Sequence, residues 1–214
     1  MRTKIYTTIS EFYQAFQILP VERIDNLDPT NFLNLVSRNN YNHYCVSYVF
    51  TLRDFSSGVL GLAWIHYPDL SQRGGVCDRF GPTRYGVQSL NTGIITQMNY
   101  GEFVNRLVSA TTFAHELGHS FGAQHDNTGG EGQLVDPKCF PGGNDGNYIM
   151  YSSANTGDKP NNHLFSYCSR DMIAKNLKHI FSHPAANNCF KGKLTFIVLI
   201  FETSNSQLFP ISIG

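Results

Sequence analysis

The sequence predicts an α/β (α+β) fold in which helices pack on a mixed sheet. Three observations carry that expectation. β-Branched and aromatic residues gather in Tyr44–Thr51, Val59–Ile65 and Gly93–Met98, so each stretch reads as a strand. Apolar residues recur at three- and four-residue steps in 107–114 and again in 172–180, so both stretches read as helices. Strands thus come first and helices follow, in a chain of 214 residues that suits one domain with appendages.

In chain order, residues 1–27 form a divergent N-terminal segment, in which Ile9, Phe12, Tyr13, Phe16 and Leu19 keep helical spacing. Met1 to Ile9 has no long apolar stretch after its basic residues and reads poorly as a signal peptide. Asp28-Pro29 suits a helix cap and first helical residue, opening a helix to about Arg38. After the three strands a helix runs from Asn105, with Leu107, Val108, Thr111 and Ala114 as its buried face. Irregular chain follows to about residue 168, and Ser169 is expected to cap a last helix through Ile180, with Met172, Ile173, Asn176, Leu177 and Ile180 on one face. Residues 191–214 are set apart as an unrelated tail. Its run LTFIVLIF at 194–201 reads as a buried strand or an unrelated tail, with the stub of a membrane anchor as the lesser alternative, since eight residues are far short of the ~20 a membrane-spanning helix needs. Lys+Arg and Asp+Glu balance at 16 each, and neither a basic patch nor a charge run points to nucleic acid or a membrane surface.

The chemistry is concentrated in 115–126, HELGHSFGAQHD, which contains the pattern H-E-x-x-H-x-x-G-x-x-H. Five fixed positions would arise by chance in roughly one chain in 10^4–10^5 of this length. Residues four apart share a helix face, so His115 and His119 can offer two imidazoles to one ion. A continuing helix would carry His125 elsewhere, but Gly122 can take positive φ and turn the chain back so that His125 becomes the third ligand. Three protein ligands leave a tetrahedral zinc ion one position for water, and Glu116 is placed to act as general base. The metal ligands are therefore His115, His119 and His125, the cofactor Zn²⁺, and the catalytic residue Glu116. His43, His66, His163, His179 and His183 are taken as structural. No N-x-S/T sequon is present.

Asn147-Tyr148-Ile149-Met150-Tyr151 adds a second signature, its methionine lying 25 residues past His125. A tight turn carrying Met below the zinc histidines is the Met-turn of the metzincins. Together with Gly58 to Trp64, Ser89 to Gly101 (SLNTGIITQMNYG), Asn147 to Ser169 and Asn187-Asn188-Cys189-Phe190, the chain resembles the catalytic domain of the ADAM (a disintegrin and metalloproteinase) family. It looks closest to the Kuzbanian-type, α-secretase-like branch. The resemblance covers residues 28–190 and implies a metzincin zincin-like domain. Its features would be a twisted mixed sheet, a long active-site helix and an irregular C-terminal subdomain, with the N-terminal strand and helix missing.

Further implications of the resemblance are a zinc endopeptidase of the cell surface or extracellular space. It would shed ectodomains by cutting juxtamembrane stalks, with peptide substrates lying along the Leu60–Trp64 edge. The main specificity pocket would be walled by residues from Tyr151 to Leu164, and Asp126 would buttress the fold. Of the five cysteines, the resemblance implies Cys77–Cys189 and Cys139–Cys168 bridges, contributing about 5 and about 3–4 kcal/mol. Cys45 would pair in the family with a cysteine of the first strand; none precedes it here, so it is either the mark of a missing start or a buried thiol. Two alternatives stand beside the enzyme: a truncated, inactive pseudoprotease acting as a binding or decoy module, and a structural zinc protein. The latter would need a fourth protein ligand, and none is evident.

Overall fold

The structure, a computed structural model, describes residues 28–68, 72–129, 135–191 and 195–201, the last of these as backbone. Its elements are α1 (Pro29–Val36), β1 (Tyr44–Thr51), β2 (Gly61–Ala63), β3 (Gly81–Thr83), β4 (Gly86–Gln88), β5 (Thr92–Thr96), β6 (Met98–Asn99), β7 (Glu102–Phe103), α2 (Arg106–Ser120), α3 (Tyr167–Ser182) and β8 (Thr195–Phe201). The expected α/β (α+β) class holds, with helices on both faces of a mixed sheet.

That sheet has the order β2-β5-β1-β8. β1 runs parallel to both β5 and β8, whereas β2 runs antiparallel to β5 and forms one edge. Of the apolar stretch, Thr195–Phe201 is thus a strand along the outer side of β1, in register from Tyr44↔Thr195 to Phe50↔Phe201, while Leu194 lies outside the described residues. β1 is buried from Cys45 to Thr51, as a central strand covered on both faces should be. Its alternation divides the core. Val46, Tyr48 and Phe50 join Ile95 under Phe113 and Leu117 of α2 and Ile180 of α3. Val49 and Ile94 face the opposite way and pack with Phe32, Leu33 and Val36 of α1. Asp28 caps α1 as expected, its Oδ1 accepting from Asn31 N at 2.7 Å.

Several boundaries differ from the sequence expectation. α1 ends at Val36 rather than Arg38, and the strands read as Val59–Ile65 and Gly93–Met98 contract to β2 and β5. The residues around Met98 turn instead into the hairpin β6–β7. The last helix begins at Tyr167, and its cap is Ser166, not Ser169. Ser166 Oγ accepts from Ser169 N at 3.0 Å and donates to Asp126 Oδ1 at 2.6 Å, a long-range bond that local pattern cannot reveal. On α2 the buried residues are Ser109, Thr112, Glu116, Gly118, His119 and Ser120, while Leu107 is exposed. The helix turns its polar residues inward because its inner side carries the site; this corrects the expected face of Leu107, Val108, Thr111 and Ala114.

Cys139–Cys168 and Cys77–Cys189 are bridged, in agreement with the resemblance. Cys45 is neither isolated nor exposed. Its sulfur lies with those of Cys77 and Cys189 in one buried cluster, and its Cα is 5.5 Å from that of Cys189 against 5.2 Å for Cys77. Both separations suit a bridge, so either cysteine can serve as the partner of Cys189. No helix among the described residues is long and apolar enough to cross a membrane.

Candidate metal centre and cleft

α2 starts where Asn105 Oδ1 accepts from Leu107 N at 2.8 Å, and it carries His115, Glu116 and His119 in its last two turns. Its end is set by Gly122, whose φ of +90° reverses the chain; Gly122 N bonds His119 O at 2.8 Å and Ala123 N bonds Gly118 O at 2.9 Å. The reversal brings His125 back, as the glycine position predicts. Asp126 pins the returning loop: its N donates to Met150 O at 2.8 Å and its Oδ1 accepts from Ser166 and Ser169 hydroxyls at 2.6 and 2.8 Å. Below the histidines, buried Met150 packs with Ala123 and Ile149, and its sulfur lies against Gly118, where any side chain would displace it.

The three imidazoles converge. His115 Nε2 and His119 Nε2 each lie 3.2 Å from His125 Nε2. Two nitrogens on a tetrahedral zinc ion at 2.0–2.1 Å would lie about 3.3–3.4 Å apart, so the spacing fits. Protonation agrees with geometry. His115 Nδ1 donates to Ile149 O at 2.7 Å and His119 Nδ1 donates to Ala123 O at 2.8 Å. A carbonyl only accepts, so the neutral rings carry their hydrogens on Nδ1 and aim Nε2 lone pairs at a common point. His125 could donate to one of the two, never both; a cation satisfies all three. Burial holds His115 down at about 4 and His119 at about 3, and lowers His125 too, so the rings are neutral and ready to ligate at pH 7.

Glu116 lies on the buried side of the same turn, and burial pushes its carboxyl up to about 8. A cation beside it would draw that value down again. It lies against β2: a Cβ on Gly61 would stand 2.7 Å from Glu116 Cγ. The four residues line a cleft of about 510 Å³ with Ser57 to Leu62 on one wall and Ile149 and Tyr151 to Asn155 on the other. Sequence reasoning located both walls in outline. It missed Thr111 and Thr112, which line the cleft, and Ile149, whose carbonyl accepts from His115 Nδ1. A motif written in side chains gives no signal for a backbone contact.

The titration shifts make an expectation for the metal-free protein. Histidines depressed from 6.5 toward 4 and 3 contribute stability that is present above pH 6.5 and lost as pH falls below it. Glu116, raised from 4.5 to about 8, acts oppositely: its contribution is full below pH 4.5 and is lost as pH rises to 8. Below pH 6.5 the histidines outnumber the glutamate, and above it Glu116 acts alone. In chelator, the melting temperature should therefore pass through a maximum near pH 6.5; a curve rising steadily from pH 6 to 8 would contradict the burial of Glu116.

Comparison with known proteins agrees with the fold and site. A family model described as "Metallo-peptidase family M12B Reprolysin-like" matches residues 7–179. The chain is 47% identical over 187 residues to "Disintegrin and metalloproteinase domain-containing protein 10 homolog" of Caenorhabditis elegans, covering 79% of this chain and 19% of that protein. It is 46% identical over 173 residues to "Disintegrin and metalloproteinase domain-containing protein 10" of Homo sapiens, covering 78% and 22%. A protein 17 homolog of Caenorhabditis elegans matches more distantly, at 30% over 138 residues. The chain spans about a fifth of the length of these relatives.

Proposed function

Because the chain belongs to the reprolysin-like M12B metallopeptidase family, we propose that it is a zinc-dependent endopeptidase whose ligands are His115, His119 and His125 and whose general base is Glu116. The observation that carries this reading is the convergence of three neutral Nε2 atoms at zinc spacing beside a buried carboxylate. Zinc, when bound, supplies Lewis acidity and brings the pKa of water to around 7.

The chain's own residues do the rest. Ile149 and Ala123 carbonyls hold two ligand rings in their tautomer and orientation. Glu116 takes a proton from the attacking water and returns it to the departing amine. β2, paired on one side with β5, leaves backbone donors and acceptors on its other side for an extended peptide. Backbone recognition favours unfolded segments and tolerates many sequences. Juxtamembrane stalks meet that description, and ectodomain shedding at the cell surface is the biological role we assign; the relatives, named as metalloproteinase domain-containing proteins, support the peptidase part of that reading.

The test is direct. The purified chain loaded with zinc should cleave an unstructured peptide, lose that activity on chelation and regain it with zinc. A chain that binds zinc stoichiometrically without cleaving any peptide of a diverse pool would instead be a binding or decoy module.

A further inference from the structure

We propose that Tyr100 is a substrate-specificity residue, gripping an aromatic or large aliphatic side chain two to three residues from the scissile bond; this rests on the peptidase reading above. Tyr100 and Gly101 form the two-residue turn between β6 and β7, with φ of +51° and +81°. Two successive positive φ values mark a type I′ turn, whose usual occupants are Asn, Asp and Gly. A bulky aromatic is out of place there, and strained positions cluster where a side chain must be held for function. The turn is braced by Asp54, whose carboxylate oxygens accept from Tyr100 N at 3.2 Å and from Gly101 N at 2.6 Å.

The bracing does not serve burial. Tyr100 is 76% exposed. Its ring instead lies over Gly58: a Cβ built there would be 2.7 Å from Tyr100 Oη and 3.0 Å from Cε2 and Cζ. Gly58 lines the cleft, and the absence of its side chain is what lets the ring approach. Along the same wall Gly61 abuts Glu116 and so marks the reacting bond. Gly58, which closes the short 3-10 turn Ser56–Gly58, precedes it by three residues, at most about 10 Å of chain. A peptide lying along this wall therefore presents a side chain to the ring two to three residues from the bond being cut. Ser57 and Gly58, which line the cleft, are small, and the exposed ring packed on Gly58 stands just outside that lining, where it offers large apolar surface at that end.

The test uses the zinc-loaded chain and peptides in which each position flanking the cut is either Phe or Ala. Wild type should prefer Phe at one position two or three residues from the cut, by about three- to tenfold in kcat/KM. Tyr100→Phe should keep that preference. Tyr100→Asn suits the turn's backbone, so its melting temperature should be no lower than wild type, and its Phe-over-Ala ratio should fall to about one. A ratio unchanged in Tyr100→Asn overturns the proposal while leaving the peptidase reading intact. A wild type that cleaves no peptide overturns both.

Discussion

Glu116→Gln is expected to lower kcat/KM for peptide hydrolysis by about 10²–10⁴-fold while zinc content stays at one ion per chain. Gln has the same shape but cannot take a proton from water. None of the three imidazoles is altered, and the ring orientations come from the Ile149 and Ala123 carbonyls rather than from Glu116. The substitution should also raise the melting temperature of the metal-free protein above pH 6.5, because it removes a carboxylate that burial disfavours. Elemental analysis alongside a fluorogenic peptide assay separates the roles. Full turnover in the variant would remove Glu116 as the base, and loss of zinc would make it a structural support of the ligands.

Gly122→Ala should destabilise the fold by about 2–4 kcal/mol, or roughly 5–15 °C in melting temperature. Two costs add. The φ of +90° lies where side chains are strained. The new methyl group would also collide with the Asn176 amide and stand 2.8 Å from His66 O. That amide donates to Phe121 O at 3.1 Å and closes the end of α2, so the collision breaks a cap as well. Zinc affinity should fall with stability, because the same turn returns His125 to its partners. Gly143 makes the contrast: its φ is +59°, but nothing lies within 4 Å of an added Cβ, so Gly143→Ala should cost only the backbone strain. Equal effects at the two glycines would mean that packing behind the metal centre is not what makes Gly122 necessary.

The convergence of the three histidines was legible because its logic is local. A four-residue step puts His115 and His119 on one helix face, and one glycine, Gly122, three residues before His125, suffices to reverse the chain. Both constraints act within about two helical turns, where periodicity and backbone freedom decide the outcome. The strands of the sheet were legible for the same reason, as runs of β-branched and aromatic residues, although their ends were not. Ends depend on pairing: β2 lasts only as long as β5 runs beside it, from Gly61↔Ile95 to Ala63↔Gly93.

Contacts between distant segments account for what was missed. Local pattern made Ser169 the cap of the last helix, but Ser166 holds it because Asp126, forty residues earlier in the chain, draws both hydroxyls together. Helical spacing made Leu107 a core residue, yet it stays exposed while Thr112 and Glu116 turn inward. Nothing around Cys45 in the chain announces that its sulfur meets those of Cys77 and Cys189. Tyr100 likewise gained meaning only when folding set its ring on Gly58. The sequence by itself determined the three histidines, the glutamate and the turn that gathers them, since these obey short-range helix and glycine geometry. The tertiary structure alone decided which carbonyls orient the rings, how deeply the carboxylate is buried and what lines the cleft, since those depend on surfaces that meet only when the chain is packed.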